Sequence, residues 1–108
     1  MTFDRPIRLG SLELPNRAFL APLAAVSDIP FRRVCRELGA GLTFVEMLSA
    51  EAILRRSPRT LEMMARHPDE PHLGVQLTGT TPEQVAAAIA FLDERGFDAI
   101  DVNMGCPV

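Results

Sequence analysis

Residues 73–102, LGVQLTGTTPEQVAAAIAFLDERGFDAIDV, decide the fold. Leu73-Gly74-Val75-Gln76-Leu77 is a short, nearly continuous apolar run of the kind that forms a buried strand. Thr81-Pro82-Glu83-Gln84 is a helix start with Pro in the first turn. Val85, Ala88, Ile89 and Leu92 then repeat at helical spacing until Gly96 closes the helix. Ala99-Ile100-Asp101-Val102 is a second short apolar strand. A strand, a helix and a strand joined by short connections predict two parallel strands covered by the helix.

The same alternation extends towards the N-terminus. Ala18-Phe19-Leu20-Ala21 is a strand stopped by Pro22, and Leu42-Thr43-Phe44-Val45 is another. Between them Ser27-Asp28-Ile29-Pro30 is a capped helix start, leading into an apolar stripe of Phe31, Val34, Cys35 and Leu38 that ends at Gly39 and Gly41. Glu46-Met47-Leu48-Ser49 reads as a polar turn. The helical stretch after it, through Leu54, Leu61, Met63 and Met64, is split in two by Pro58. Ahead of everything, residues 6–14 alternate around Gly10-Ser11 as a short hairpin ending at Pro15-Asn16. The order is a hairpin followed by β-α-β-α-β-α-β. Either a doubly wound sheet or part of a (β/α)8 barrel satisfies it.

The 108 residues are 47% hydrophobic and 23% charged, with a net charge of −3. That excludes a disordered chain, and no apolar run reaches the roughly 18 residues of a membrane helix. The charged start MTFDRPIRLG is unlike a secretory signal, and Cys35 and Cys106 form neither a disulfide framework nor a zinc pattern, so a cytoplasmic location is expected. Every basic residue is Arg. Ten lie in residues 1–66 against seven acids, and one in residues 67–108 against seven, leaving a front half of +3 and a back half of −6. Because the arginines are scattered, they read as solvated helix faces rather than as a polyanion site.

Function in parallel α/β architectures gathers at the carboxyl ends of the strands. Here those ends carry Pro22-Leu23-Ala24-Ala25, then Glu46 and Ser49, then Gln76, Thr78 and Gly79, and finally Asn103, Gly105, Cys106 and Pro107. No Gly-x-Gly-x-x-Gly turn or Lys-bearing phosphate loop is present. Backbone at Pro22-Leu23-Ala24 suits a flat ligand better than a gripped phosphate. His67 and His72 flank a loop at the opposite end and read as surface histidines. Cys106, between Gly105 and Pro107, has a thiol with a reference pKa of about 8.5, so it can act as a general acid or a nucleophile, or simply pack as a small hydrophobe.

The segments LAPLAAVSDIPFRRVCRELGAGLTFVEMLSAEA (20–52), VQLTGTTPEQ (75–84) and DVNMGCP (101–107) together resemble the tRNA-dihydrouridine synthase family, and the Asn-Met-Gly-Cys-Pro form is closest to its bacterial B-type branch. Leu23 stands where the family usually has Met, Ala25 where Gly is common and Ser27 where Thr is common. The resemblance implies the N-terminal part of an FMN-binding TIM barrel over residues 1–108: the hairpin, the first four strands and three helices, without the family's C-terminal tRNA-binding helical domain. It implies that Pro22, Leu23 and Ala24 pass against the flavin, that Gln76 bonds the isoalloxazine edge, and that Asn103 positions the target base. Cys106 matches the catalytic acid. The implied reaction reduces the uracil 5,6 double bond in tRNA, with hydride to C6 from reduced FMN, a proton to C5 from Cys106, and NADPH or NADH as reductant.

A complete barrel takes roughly 250 residues. The isolated chain is therefore expected to be inactive and to associate through an open barrel edge. Two other readings remain: a non-catalytic half-barrel module that oligomerises or binds a partner, and a piece of another FMN-dependent TIM-barrel oxidoreductase.

Overall fold

The computed structural model describes residues 3–105. The chain opens with an antiparallel hairpin of β1 (Ile7–Leu9) and β2 (Leu12–Leu14), in which Ile7 faces Leu14 and Leu9 faces Leu12 across the Gly10-Ser11 turn. Then follow α1 (Ile29–Glu37), β3 (Thr43–Phe44), β4 (Leu48–Ser49), α2 (Ala50–Leu54), α3 (Pro58–Met63), β5 (Leu73–Thr78), α4 (Pro82–Glu94) and β6 (Ala99–Val102).

The parallel sheet is built around β5. Its first half pairs with β3 (Thr43 with Leu73, Phe44 with Gly74) and its last two residues pair with β4 (Leu48 with Leu77, Ser49 with Thr78). On the other side β6 runs along it from Gly74–Ala99 to Leu77–Val102. Because Gly74 and Leu77 each have partners on both sides, β3 and β4 form one interrupted strand opposite β6. The sheet does not close on itself among the described residues.

Side chains alternate across β5, so its two faces differ. Leu73, Val75 and Leu77 point into a fully buried cluster with Val45, Leu48, Ala50, Ile53, Ala88 and Leu92, under α2, α3 and α4. Each large aliphatic side chain in that layer contributes about 1.5–3 kcal/mol. The predicted stripe of α4 is the one that packs: Ala88 and Leu92 are buried, and Val85 and Ile89 lie against the cluster. Gly96 follows the helix at φ +77°, a left-handed position that glycine takes without strain. Helix starts form as expected at Asp28 and Thr81, each accepting a backbone N–H in the first turn, and Ser49 at the end of the turn caps α2 in the same way.

Six expectations are corrected. The strand predicted at residues 18–21 is reduced to a single parallel bridge, Phe19 with Leu42. It meets a neighbour on one side only and Pro22 ends it, and the segments are joined by Leu20 N–H to Leu42 O and Gly41 N–H to Ala18 O. The polar turn at 46–49 ends in β4, because buried Leu48 fills the core beside Leu77. The third correction is the face of α1. Its apolar stripe is turned to solvent, with Phe31, Val34 and Leu38 exposed by 38, 52 and 85%, whereas Arg32 is 2% exposed. Fourth, Arg32 is therefore no solvated helix residue. The physical reason for both is Glu70, whose carboxylate holds Arg32 inward. The histidines are half-buried rather than surface residues, and His72 Nδ1 is buried without a partner. Between β4 and β5 the helical stretch divides at Pro58 as predicted, so four helices replace the three.

Candidate active site

The face of β5 opposite the packed core carries polar groups at its carboxyl end. Gln76 and Asp101 are register partners on β5 and β6, and Gln76 Nε2 donates to Asp101 Oδ2 at 2.6 Å. Asn103 follows β6 and is anchored by its own N–H on Leu77 O at 2.9 Å. Its Nδ2 donates to Gln76 Oε1 and lies equally near Met47 Sδ, both at 3.3 Å. Asn103 Oδ1 in turn accepts the N–H of Gly105 at 3.0 Å. A cavity of about 690 Å³ adjoins this group, lined by Met47, Ser49, Thr78, Thr80 and Asn103 among others.

The turn after the first strand end is built separately. The buried Ser27 hydroxyl accepts the N–H of Leu23 and donates to its carbonyl, both at 3.0 Å, closing residues 23–27 on themselves. Glu46, from the link between β3 and β4, accepts the N–H of Ala25 at 2.9 Å. Ala25 sits at φ +58°, in the left-handed region that disfavours a Cβ. That geometry gives a physical reason for the preference for Gly noted at this position.

A buried ion cluster holds α1 and this turn to the body of the molecule. Arg32 Nε and Nη2 bond Glu70 Oε1 and Oε2 at 2.7 and 3.0 Å, while its Nη1 and Nη2 reach the carbonyls of Ser27 and Ala65. Arg36 Nη1 adds a 2.7 Å contact to Glu70 Oε1, and the N–H of His67 bonds Oε2. Burial alone raises the pKa of Glu70. The Arg32 hydrogen bonds, the His67 N–H and the charges of Arg32 and Arg36 outweigh it and hold the carboxyl below its usual range.

Of the residues singled out in the sequence, Gln76 and Asn103 are brought into direct contact. Pro22, Leu23 and Ala24 belong to the turn held by Ser27 and Glu46 instead. Cys106 lies outside the described residues, as does Pro107. Cys35 is half-buried and free. Sequence reasoning passed over Asp101, although a usable signal was present: it lies two residues before Asn103, hence on the same face of the strand path, and an acid inside an otherwise apolar strand is unusual. For the Arg32–Glu70 pairing there was no signal, since 38 residues separate the partners and one sits in a loop.

Among the described residues, no helix is long and apolar enough to cross a membrane. A family described as "Dihydrouridine synthase (Dus)" matches residues 19–108. The chain is 43% identical over 101 residues to the "tRNA-dihydrouridine synthase B" of Pasteurella multocida (strain Pm70), covering 94% of this chain and 30% of that protein. Proteins of the same name match similarly: in Klebsiella pneumoniae at 43% identity and in Escherichia coli (strain K12) at 42%, each over 102 residues, 94% of this chain and 32% of the relative. The chain thus spans about a third of the length of the curated relatives it matches.

Proposed function

Because the chain belongs to the dihydrouridine synthase family, we propose that residues 1–108 form part of the catalytic barrel of an enzyme that reduces uridine to 5,6-dihydrouridine in tRNA. The observation that carries this reading is the family match from residue 19 to 108, which takes in every parallel strand end. The open parallel sheet, with β3 and β4 as one interrupted strand, suits the first strands of a (β/α)8 barrel. The cytoplasm, where tRNA is processed, is the corresponding location.

The residues present suit a flavin. Gln76 is half-buried at a strand end, and after its bonds to Asp101 and Asn103 it retains one N–H and one lone pair. Such an adjacent donor and acceptor fits the edge of an isoalloxazine ring, which offers both C=O and N–H groups. The 22–24 backbone, fixed through Ser27 and Glu46, gives a rigid surface for the same ligand. Bound FMN would bring hydride-transfer chemistry to C6 of the uracil ring, with NADPH or NADH as its reductant. The Asn103 amide positions the base, which must leave its stack to be reached. The thiol of Cys106 gives its proton to C5 and regains one from solvent, so the double bond takes up one hydride and one proton.

One structural feature supports self-association of this chain through its open edge. Phe3, Phe19, Val34 and Leu38 are all more than 40% exposed.

The test is a chimera in which residues 1–108 replace the matching third of the E. coli relative, scored for bound FMN and for dihydrouridine in tRNA. The reading predicts FMN retention and activity, with Cys106→Ala keeping the flavin and losing at least about a hundredfold in turnover. A chimera that folds without binding FMN, or a Cys106→Ala form with unchanged turnover, refutes it.

A further inference from the structure

Three hydrogen bonds at the carboxyl end of β5 and β6 run head to tail from Gly105 to Asp101. Gly105 N–H donates to Asn103 Oδ1, Asn103 Nδ2 to Gln76 Oε1, and Gln76 Nε2 to Asp101 Oδ2. An amide side chain can be flipped, exchanging donor and acceptor, and by itself Gln76 has no reason to prefer one orientation. A carboxylate only accepts. If Gln76 were flipped, its Oε1 would face the Asp101 oxygen at 2.6 Å with no proton between them. Asp101 therefore determines which end of Gln76 faces it. That choice leaves Oε1 towards Asn103, which presents Nδ2 to it, and the N–H of Gly105, a donor only, holds Asn103 Oδ1 in the same sense from the other end.

We propose that Asp101 is a positioning residue whose carboxylate sets the direction of the Gln76–Asn103–Gly105 hydrogen-bond relay. It thereby fixes which donor and which acceptor Gln76 offers at the end of β5. The functional part of the inference rests on the reading above, in which Gln76 and Asn103 face flavin and base. The relay itself can be tested without flavin.

The experiment records side-chain amide resonances of Gln76 and Asn103, and the backbone amide of Gly105, by nitrogen–proton NMR on the 108-residue chain. It compares Asp101→Ala, which removes the acceptor, with Asp101→Asn, which keeps an oxygen for Gln76. Asp101 is exposed, so neither change disturbs the core, and unchanged backbone resonances of Leu73, Val75 and Leu77 verify this. The expected result is that Asp101→Ala moves all three signals in the relay, Gln76 most, and that Asp101→Asn restores Asn103 and Gly105. The proposal is overturned if Asp101→Ala leaves the Asn103 and Gly105 signals in place, or if Asp101→Asn shifts them as far as Asp101→Ala does. In the chimera, Asp101→Ala should weaken FMN binding about tenfold, the loss of roughly one hydrogen bond's worth of ordering, with recovery in Asp101→Asn. A chimera that never binds FMN defeats the functional reading alone, because the resonances decide the role of Asp101 independently.

Discussion

Replacing Glu70 by Gln keeps shape and volume but removes the charge on which α1 is held. Each carboxylate oxygen accepts two bonds: Oε1 from Arg32 and Arg36, Oε2 from Arg32 and the His67 N–H. In glutamine one of these oxygens becomes an NH₂ group, so whichever way the amide points, two donors lose their acceptor and meet another donor. Leaving a buried donor unsatisfied costs about 1–3 kcal/mol, and breaking a buried ion pair from one side costs about 3–5 kcal/mol. The two routes agree on a loss of about 3–5 kcal/mol, a large part of the total stability of a small domain. Urea denaturation followed by circular dichroism should show the midpoint falling accordingly. Arg32→Met combined with Glu70→Leu should recover only part of the loss, since it removes both buried charges of the pair but leaves Arg36 and the His67 N–H without their acceptor. A Glu70→Gln chain within about 0.5 kcal/mol of the parent would refute the argument, because it would mean that Arg32 finds water or another acceptor at no cost. The sign of the pH dependence follows from the same cluster. The folded pKa of Glu70 is lowered, so its contribution is fully present above the pKa of an unfolded glutamate and is lost as pH falls through the lower, folded value. The parent should therefore lose stability in acid more steeply than Glu70→Gln does.

Three further outcomes are expected. Ala25→Gly should raise stability by about 0.5–1 kcal/mol in the same denaturation assay, because the left-handed backbone at φ +58° strains alanine and not glycine. Gly74→Ala should lower it by about 1–3 kcal/mol, since the added Cβ would stand 2.5 Å from Cε1 of Phe44, and a ring packed on the sheet must shift. Leu38→Glu should lower self-association seen by analytical ultracentrifugation without loss of folded signal, as that side chain is 85% exposed on the apolar face of α1.

The elements with strong local patterns were legible in advance. The β5–α4–β6 unit combines short apolar runs, a capped start and a stripe at helical spacing, and each local preference agrees with the packing it meets. For α1 the local pattern and the structure part company: its apolar stripe is as clear as that of α4, yet it faces solvent, because a long-range ion pair pulls Arg32 the other way. The first strand likewise had the right composition but only one neighbour to bond. Pairing is a property of two segments, so composition alone could not set its length.

By itself, then, the sequence determined the parallel α/β class, the helix starts, the two well-formed strands and the polar residues that end them, because periodicity and capping act over a few residues. Tertiary structure alone decided which of those polar residues meet. Gln76 and Asp101 become partners through a β5–β6 register, Ala25 bonds Glu46 from the link between β3 and β4, and Arg32 meets a loop acid 38 residues away. Such contacts depend on the distance between side chains in space, and a linear sequence carries that only after the sheet has set its register.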